Sequence, residues 1–388
     1  MKPILVECWP NRLILGRGAV AMLPQAMTDL GARRALVLCG KSIAAGGLLP
    51  RVTAALGELC CGVFAEVAAH SPVPMIERAV DRVRALGADA IVSLGGGSAI
   101  DAGKGTALLH AAGGALGPYE IEFRAGRMER RLLETATLPH IAIPTTTGSS
   151  SEVLPTAGIR DVARRRKMLF WDAALVPRAV ILDPEMTIET GAFLTAASGM
   201  TAVARCVESL YSAHRNPLSE GLALHALRLL RNNLPRTVAA PDDLDARQEC
   251  QIACAMSGIA SVNAMASIVH ALGHIVGGRY ALQHGVSHAI LLAPAMRLLL
   301  PVLGERQAWA LEALGGDARG SADAAGAAAE QMEKFVAGLP LKRRLRDLGI
   351  PATELPEIAA LAMHDYMMGN LPRPMSAAEV EALLHAAW

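Results

Sequence analysis

The stretch DAIVSLGGGSAIDAGKG, residues 89–105, sets an apolar run, three consecutive glycines and a helix-forming segment in immediate succession. An apolar run without polar alternation suits a strand covered on both faces, which is a parallel strand between helices. Glycines at its end let the backbone turn sharply and approach a ligand closely. The helix that follows offers free N–H groups and a positive dipole end. The string therefore predicts a βα unit whose turn, Gly95, Gly96, Gly97 and Ser98, cradles a phosphate, with Ser98 also capping the helix. A tight turn needing glycine only for room would read the same way, and it is the strand and helix on either side that favour a nucleotide.

The rest of the first half repeats this logic. RALVLCG (34–40) is a second apolar run ending in glycine, and PMIERAVDRVRALGA (74–88) has apolar residues at helical spacing with a glycine near its end. HIAIPTTTGSS (140–150) and RAVILDPEMT (178–187) supply two more strand-then-loop units. The expectation is a doubly wound α/β domain over residues 1–185. Strand signals then stop. Residues 190–213, 217–234 and 245–275 read as helices, followed by Ala- and Leu-rich helical segments, 315–331 among them, to Trp388. An all-helical domain over 186–388 is expected, with a site in the cleft between the two. The polar loop IPTTTGSSSEV (143–153) would hold a cofactor from the side opposite the glycines, or serve as a solvated turn.

Composition narrows the function classes. Hydrophobic residues make up 52% of the 388, enough for two cores, and aromatics only 3%, so Ala, Leu, Val, Ile and sixteen Met must fill them. A net charge of +1 gives no electrostatic case for nucleic acid or an anionic membrane. Seven cysteines without a CxxC pair argue against a disulfide framework and for a reducing compartment. MKPILVECWP lacks the apolar segment of a signal peptide, and no uncharged apolar run has transmembrane length. A cytoplasmic protein acting on a small molecule is expected.

Two further stretches carry chemistry. His270 and His274 are four apart on a predicted helix, and His284 and His288 follow with the same spacing, a cluster of a kind that often holds a divalent metal. SGMTAVARCVESLY (198–211) has an apolar stripe of Val203, Cys206, Val207 and Leu210, with Thr201, Arg205 and Glu208 on another face. An Arg205–Glu208 ion pair on a solvated face is the ordinary reading of that second face.

Taken together, GGGSAIDAGK, IPTTTGSSSE, KMLFWDAALVPRAVILDPEMT, VHALGHIVGGRYALQHGVSHAILL and the tail GNLPRPMSAAEVEALLHAAW resemble the iron-containing (group III) alcohol dehydrogenase family. The resemblance implies the dehydroquinate synthase-like fold, a homodimer, and hydride transfer between NAD(P)H and a carbonyl. It implies cofactor pyrophosphate on Gly95, Gly96, Gly97 and Ser98, and the nicotinamide half lined by Asp101, Thr145, Thr146, Ser149 and Lys167. At the end of the first strand, where NAD-preferring relatives often carry Asp, this chain has Gly40 and then Lys41. That exchange favours NADPH, with NADH tolerated.

In metal-dependent members the resemblance implies four ligands, aligned with Thr201, Arg205, His270 and His284. Thr is a weak neutral ligand and Arg cannot ligate, so no metal is expected. The charge developing on the carbonyl oxygen would then fall to Arg205, with His270 and His284 as further donors and His274 delivering the proton. His288 is similar to a histidine of the metal-independent maleylacetate reductase branch, and with Thr201 and Arg205 would form a pocket for an anionic carbonyl or enone. Two other readings stand beside this one. One is a metal-dependent dehydrogenase with a rearranged histidine site, and the other is a catalytically silent nucleotide-binding homologue.

Overall fold

The computed structural model describes residues 6, 7, 9, 11–124, 127–164, 166–280, 282–319 and 321–388, so Cys8 lies outside the described residues. The chain divides into two compact units, one within residues 8–190 and the other built on 191–388.

The first unit holds ten strands among the described residues: β1 (Arg12–Leu15), β2 (Ala35–Gly40), β3 (Cys60–Val67), β4 (Ala90–Gly95), β5 (Glu122–Arg124), β6 (Arg127–Glu129), β7 (His140–Pro144), β8 (Thr156–Asp161), β9 (Arg166–Trp171) and β10 (Ala179–Leu182). Six of them form one sheet in the order β1-β10-β7-β4-β2-β3, every pairing parallel. The central strands β4, β7 and β10 are buried along their whole length, as their unbroken apolar runs require. The unit's helices are α1 (Leu23–Asp29), α2 (Lys41–Ala45), α3 (Leu48–Leu56), α4 (Val73–Leu86) and α5 (Gly97–Ala112). Two apolar clusters result, one containing Val37, Val92 and Ile181 and the other Leu36, Ile91 and Phe170. This is the expected doubly wound α/β unit. The antiparallel hairpins β5–β6 and β8–β9 stand outside the sheet.

The second unit is helical: α6 (Ala192–Tyr211), α7 (Pro217–Ala239), α8 (Leu244–Ala264), α9 (Ile268–Tyr280), α10 (His284–Leu299), α11 (Gln307–Ala313), α12 (Ala324–Ala337), α13 (Leu355–Ala362) and α14 (Ala377–Ala387). Two expectations are corrected here. Residues 245–275 are not one helix: α8 ends at Met265, whose φ of 65° lies in the left-handed region, and α9 departs at 108°. The Ala-rich stretch 315–331 is helical only from Ala324, where the Asp323 side chain caps α12 by accepting from Gly326 N–H. The segment His284–Gly304 is long and apolar enough to cross a membrane, but it is mostly buried among the other helices, as a core helix is.

Candidate active site

In the first unit the glycine turn forms as the sequence predicts. Gly95 adopts a φ of 150°, open to glycine, and a Cβ there would stand 2.8 Å from Ala99 Cβ. α5 begins at Gly97 behind Gly96, and no side chain caps it. Ser98 is therefore not the cap. Its Oγ accepts from His70 N–H at 3.1 Å, which leaves its own O–H free to donate. The first-turn amides of a sixteen-residue helix thus lack a side-chain partner, as an anion site requires.

The hydroxyl loop lies against this turn. A Cβ on Gly96 would meet the Thr146 side chain at 3.1 Å, and one on Gly97 would meet Ser149 Cβ at 3.1 Å. Thr145 N–H donates to Gly95 O at 3.1 Å, and Ser149 Oγ donates to Glu152 at 3.2 Å. The Asp101 carboxylate accepts from Ser151 Oγ and, at 3.1 Å, from Gly158 N–H. It ties the loop and β8 to α5. Lys167 lies across Gly158 on the hairpin, and its charge, with that of Arg160 and with burial as the larger cause, lowers the pKa of His70. Gly40 ends β2 and is followed by exposed Lys41. Glycine turn, hydroxyl loop and cation together fit a dinucleotide.

Lys104 carries no such expectation in the sequence, yet it organises this site. Wholly buried, it donates to the carbonyls of Ser151, Leu154 and Thr156 at 2.5, 2.7 and 2.8 Å, which fixes the far end of the hydroxyl loop.

In the second unit, α9 and α10 bring all four histidines together, the i, i+4 pair of each helix facing the other. Ring centroids lie 4.3 Å apart for His270 and His288, 5.2 Å for His274 and His284, 6.1 Å for His284 and His288, and 6.5 Å for His270 and His274. His274 and His284 are half-buried and His270 is buried. His288, expected to touch substrate, has no exposed surface and backs His270 instead, with neither ring nitrogen hydrogen-bonded. Burial first, then electrostatic repulsion from the surrounding His270, His284, His274 and Arg205 groups, holds its imidazole well below the usual histidine range, so it is neutral.

Arg205 is half-buried on α6, close enough for its charge to bear on His288. Thr201, a turn earlier, has its Oγ1 directed at Ala197 O at 3.5 Å and 3.0 Å from where a Cβ on Gly285 would sit. α6 and α10 therefore cross in contact at that point.

Glu208 is not the surface partner of Arg205 that spacing suggests. It is fully buried, and its Oε1 accepts from Ser267 N–H at 3.2 Å, Ser267 Oγ at 3.0 Å and Val269 N–H at 2.9 Å. Its Oε2 is hydrogen-bonded to His270 Nδ1. Burial alone would raise the Glu208 carboxyl, but His270 and these hydrogen bonds outweigh it and hold the group below its ordinary value. The signal was absent from the sequence because the partners arrive from α9, sixty residues on.

The four positions that the family's ligands would occupy thus hold a threonine hydroxyl, a guanidinium and two imidazoles. Among the described residues no group of three or more His, Cys, Asp or Glu is placed to hold a metal ion. This set does not fit a divalent cation.

Comparison with known proteins places the whole chain. The iron-containing alcohol dehydrogenase family profile matches residues 10–184, and the C-terminal profile of the Fe-containing alcohol dehydrogenase family matches 195–388. The chain belongs to the iron-containing alcohol dehydrogenase family. It is 31% identical to a maleylacetate reductase of Rhizobium sp. (strain MTP-10005), over 100% of this chain and 98% of that one. It is 29% identical to an NAD-dependent methanol dehydrogenase of Bacillus methanolicus, over 97% and 98%. Among solved structures, a 1,3-propanediol oxidoreductase superposes with a TM-score of 0.92 at 28% identity, covering 99% of this chain and 100% of that one. As a member of this family, the chain is an oxidoreductase of the alcohol dehydrogenase and maleylacetate reductase kind.

Proposed function

We propose that this enzyme is a metal-independent, NAD(P)H-dependent reductase of a small anionic carbonyl or enone compound. The observation that carries this reading is Arg205, a fixed cation beside the histidine cluster at a position where the family's metal-dependent members are expected to have a ligand. A guanidinium repels a second cation and binds a planar carboxylate in bidentate fashion.

The glycine turn Gly95–Gly97, Ser98 and the hydroxyls of Thr145, Thr146 and Ser149, with Lys167, would hold the dinucleotide. When bound, the reduced nicotinamide supplies a hydride. Arg205 anchors the substrate's anionic group, His270 and His284 meet the oxygen, and half-buried His274 exchanges protons with solvent. Exposed Lys41 after Gly40 favours the 2′-phosphate of NADPH. Six described cysteines are free thiols, in keeping with a reducing cytoplasm. Exposed Leu13 and Leu15 on the edge strand β1 support a homodimer.

One experiment tests the whole reading. Purified enzyme is analysed for bound metal and by sedimentation, then assayed with NADPH and NADH, with and without EDTA, on a panel of aldehydes, oxo acids and an enone acid. The expectation is a dimer, activity unaffected by EDTA, a lower KM for NADPH, and preference for the acids. Arg205→Ala should cost about 1.5–3 kcal/mol, roughly tenfold to a hundredfold in kcat/KM on the acids, and far less on neutral aldehydes. Stoichiometric metal with loss of activity on chelation, or an unchanged R205A, overturns it.

A further inference from the structure

Glu208 and His270 are more than a helix cap and its neighbour. Oε1 of the buried carboxylate receives the N–H of Ser267, just before α9, and that of Val269 in its first turn, which holds the group in place and stabilises its charge. Oε2 is thereby directed at His270 Nδ1. A carboxylate only accepts, so the hydrogen between them belongs to Nδ1. A ring carrying that single hydrogen has none on Nε2, which is buried and without a hydrogen-bond partner. A bare ring nitrogen out of water takes a cation or a hydrogen-bond donor, and the charge of Arg205 on this cluster disfavours a cation.

We propose that Glu208 is a positioning residue of the reaction, fixing His270 as the Nδ1–H tautomer so that Nε2 accepts the hydroxyl hydrogen of the substrate's alcohol form. The site then takes a hydroxy acid and its oxo counterpart: the anion on Arg205, the hydroxyl on His270. This rests on the reductase reading above. In the oxidative direction the O–H bond breaks, its proton goes to Nε2, and its electron pair forms the carbonyl as the hydride leaves carbon for the oxidised nicotinamide. Reduction is the reverse, with hydride arriving on carbon and the proton returning from Nε2 to oxygen.

The test begins on substrate-free wild-type enzyme labelled with ¹⁵N-histidine, the His270 signals assigned by their loss in His270→Asn. Where the ring carries a single hydrogen, that hydrogen should be on Nδ1, with Nε2 bare. A singly protonated ring with its hydrogen on Nε2 overturns the proposal without recourse to any substrate. Glu208→Gln keeps a carbonyl oxygen for the α9 amides, but its amide N–H₂ would face Nδ1 and reverse the tautomer. In that variant kcat on the best substrate of the panel should fall on the order of 10²-fold or more, with the KM for NADPH unchanged. A reversed tautomer with wild-type rate overturns the proposal, as does a lost rate with an unreversed tautomer, which would mark Glu208 as a cap alone. If Nε2 is bare and no acid in the panel is reduced, it is the reductase reading that has failed.

Discussion

Lys104 occupies the middle of α5 with no exposed surface, a place where an ammonium group survives only if its hydrogens are all received. Three backbone carbonyls receive them, from Ser151, Leu154 and Thr156. Lys104→Met fills the space but strands these acceptors away from water. The expected loss is about 3 kcal/mol, or roughly 6–12 °C in the melting temperature of a unit this size. Because the hydroxyl loop is released at one end, the KM for the dinucleotide should rise as well. Calorimetry with a cofactor titration checks both, and a melting temperature unchanged within about 2 °C would show that the loop holds without the lysine. At this scale the sequence is read with least success. Gly95, Gly96, Thr146 and the four histidines were recognisable because their chemistry is local or periodic. Lys104, Asp101 and Glu208 take their roles from groups about fifty to sixty residues away, and the i,i+3 spacing that offers Arg205 as an alternative partner for Glu208 says nothing of a second helix packed on the first.

Elements were more legible, since hydrophobic periodicity is a property of whole segments. The apolar runs before Gly40 and Gly95 became parallel strands, and 74–88 became α4, closed by Gly87 in the left-handed region. The break after Ala264 stayed hidden because Met265 is not a residue that announces a turn. The crossing of α6 with α10 depends on one missing side chain. At Gly285 a Cβ would lie 1.5 Å from Ala197 O and 3.0 Å from Thr201 Oγ1, so any other residue must push the helices apart beside His284. Gly285→Ala should therefore melt well below wild type or fail to accumulate, with activity lost beyond what stability explains. Gly278→Ala is the control: it is exposed in α9 with nothing within 4 Å of its Cβ, and should gain up to about 1 kcal/mol from helix propensity. If both variants melt alike, the close crossing is not needed.

For the molecule as a whole, each unit buries a histidine that must stay neutral, and this fixes how stability responds to acid. His140 in the first unit shares a hydrogen bond of 2.8 Å with Ser93, and burial first, then the charge of Lys104, drives its pKa down to about 3. His288 in the second unit is shifted in the same direction. The unfolded chain takes up a proton on each near pH 6.5 while the folded chain does not, so the unfolded state gains as pH falls below that value. For His140 the loss is about 1.4 kcal/mol per pH unit, about 2 kcal/mol between pH 6.5 and 5, and it continues until the folded group titrates near 3. Above pH 6.5 neither group contributes. Denaturant unfolding of the wild type and His140→Gln at pH 7 and pH 5 isolates this share: the variant should lose about 2 kcal/mol less over that interval. Equal losses would mean that His140 gains its proton without unfolding the sheet around it. The same reasoning explains why the division into two units was readable from the sequence while their acid sensitivity was not. Where strands give way to helices is written in residue order, whereas the burial of an imidazole beneath α5 is settled only when β4 and β7 pair and bring Ser93 and His140 together.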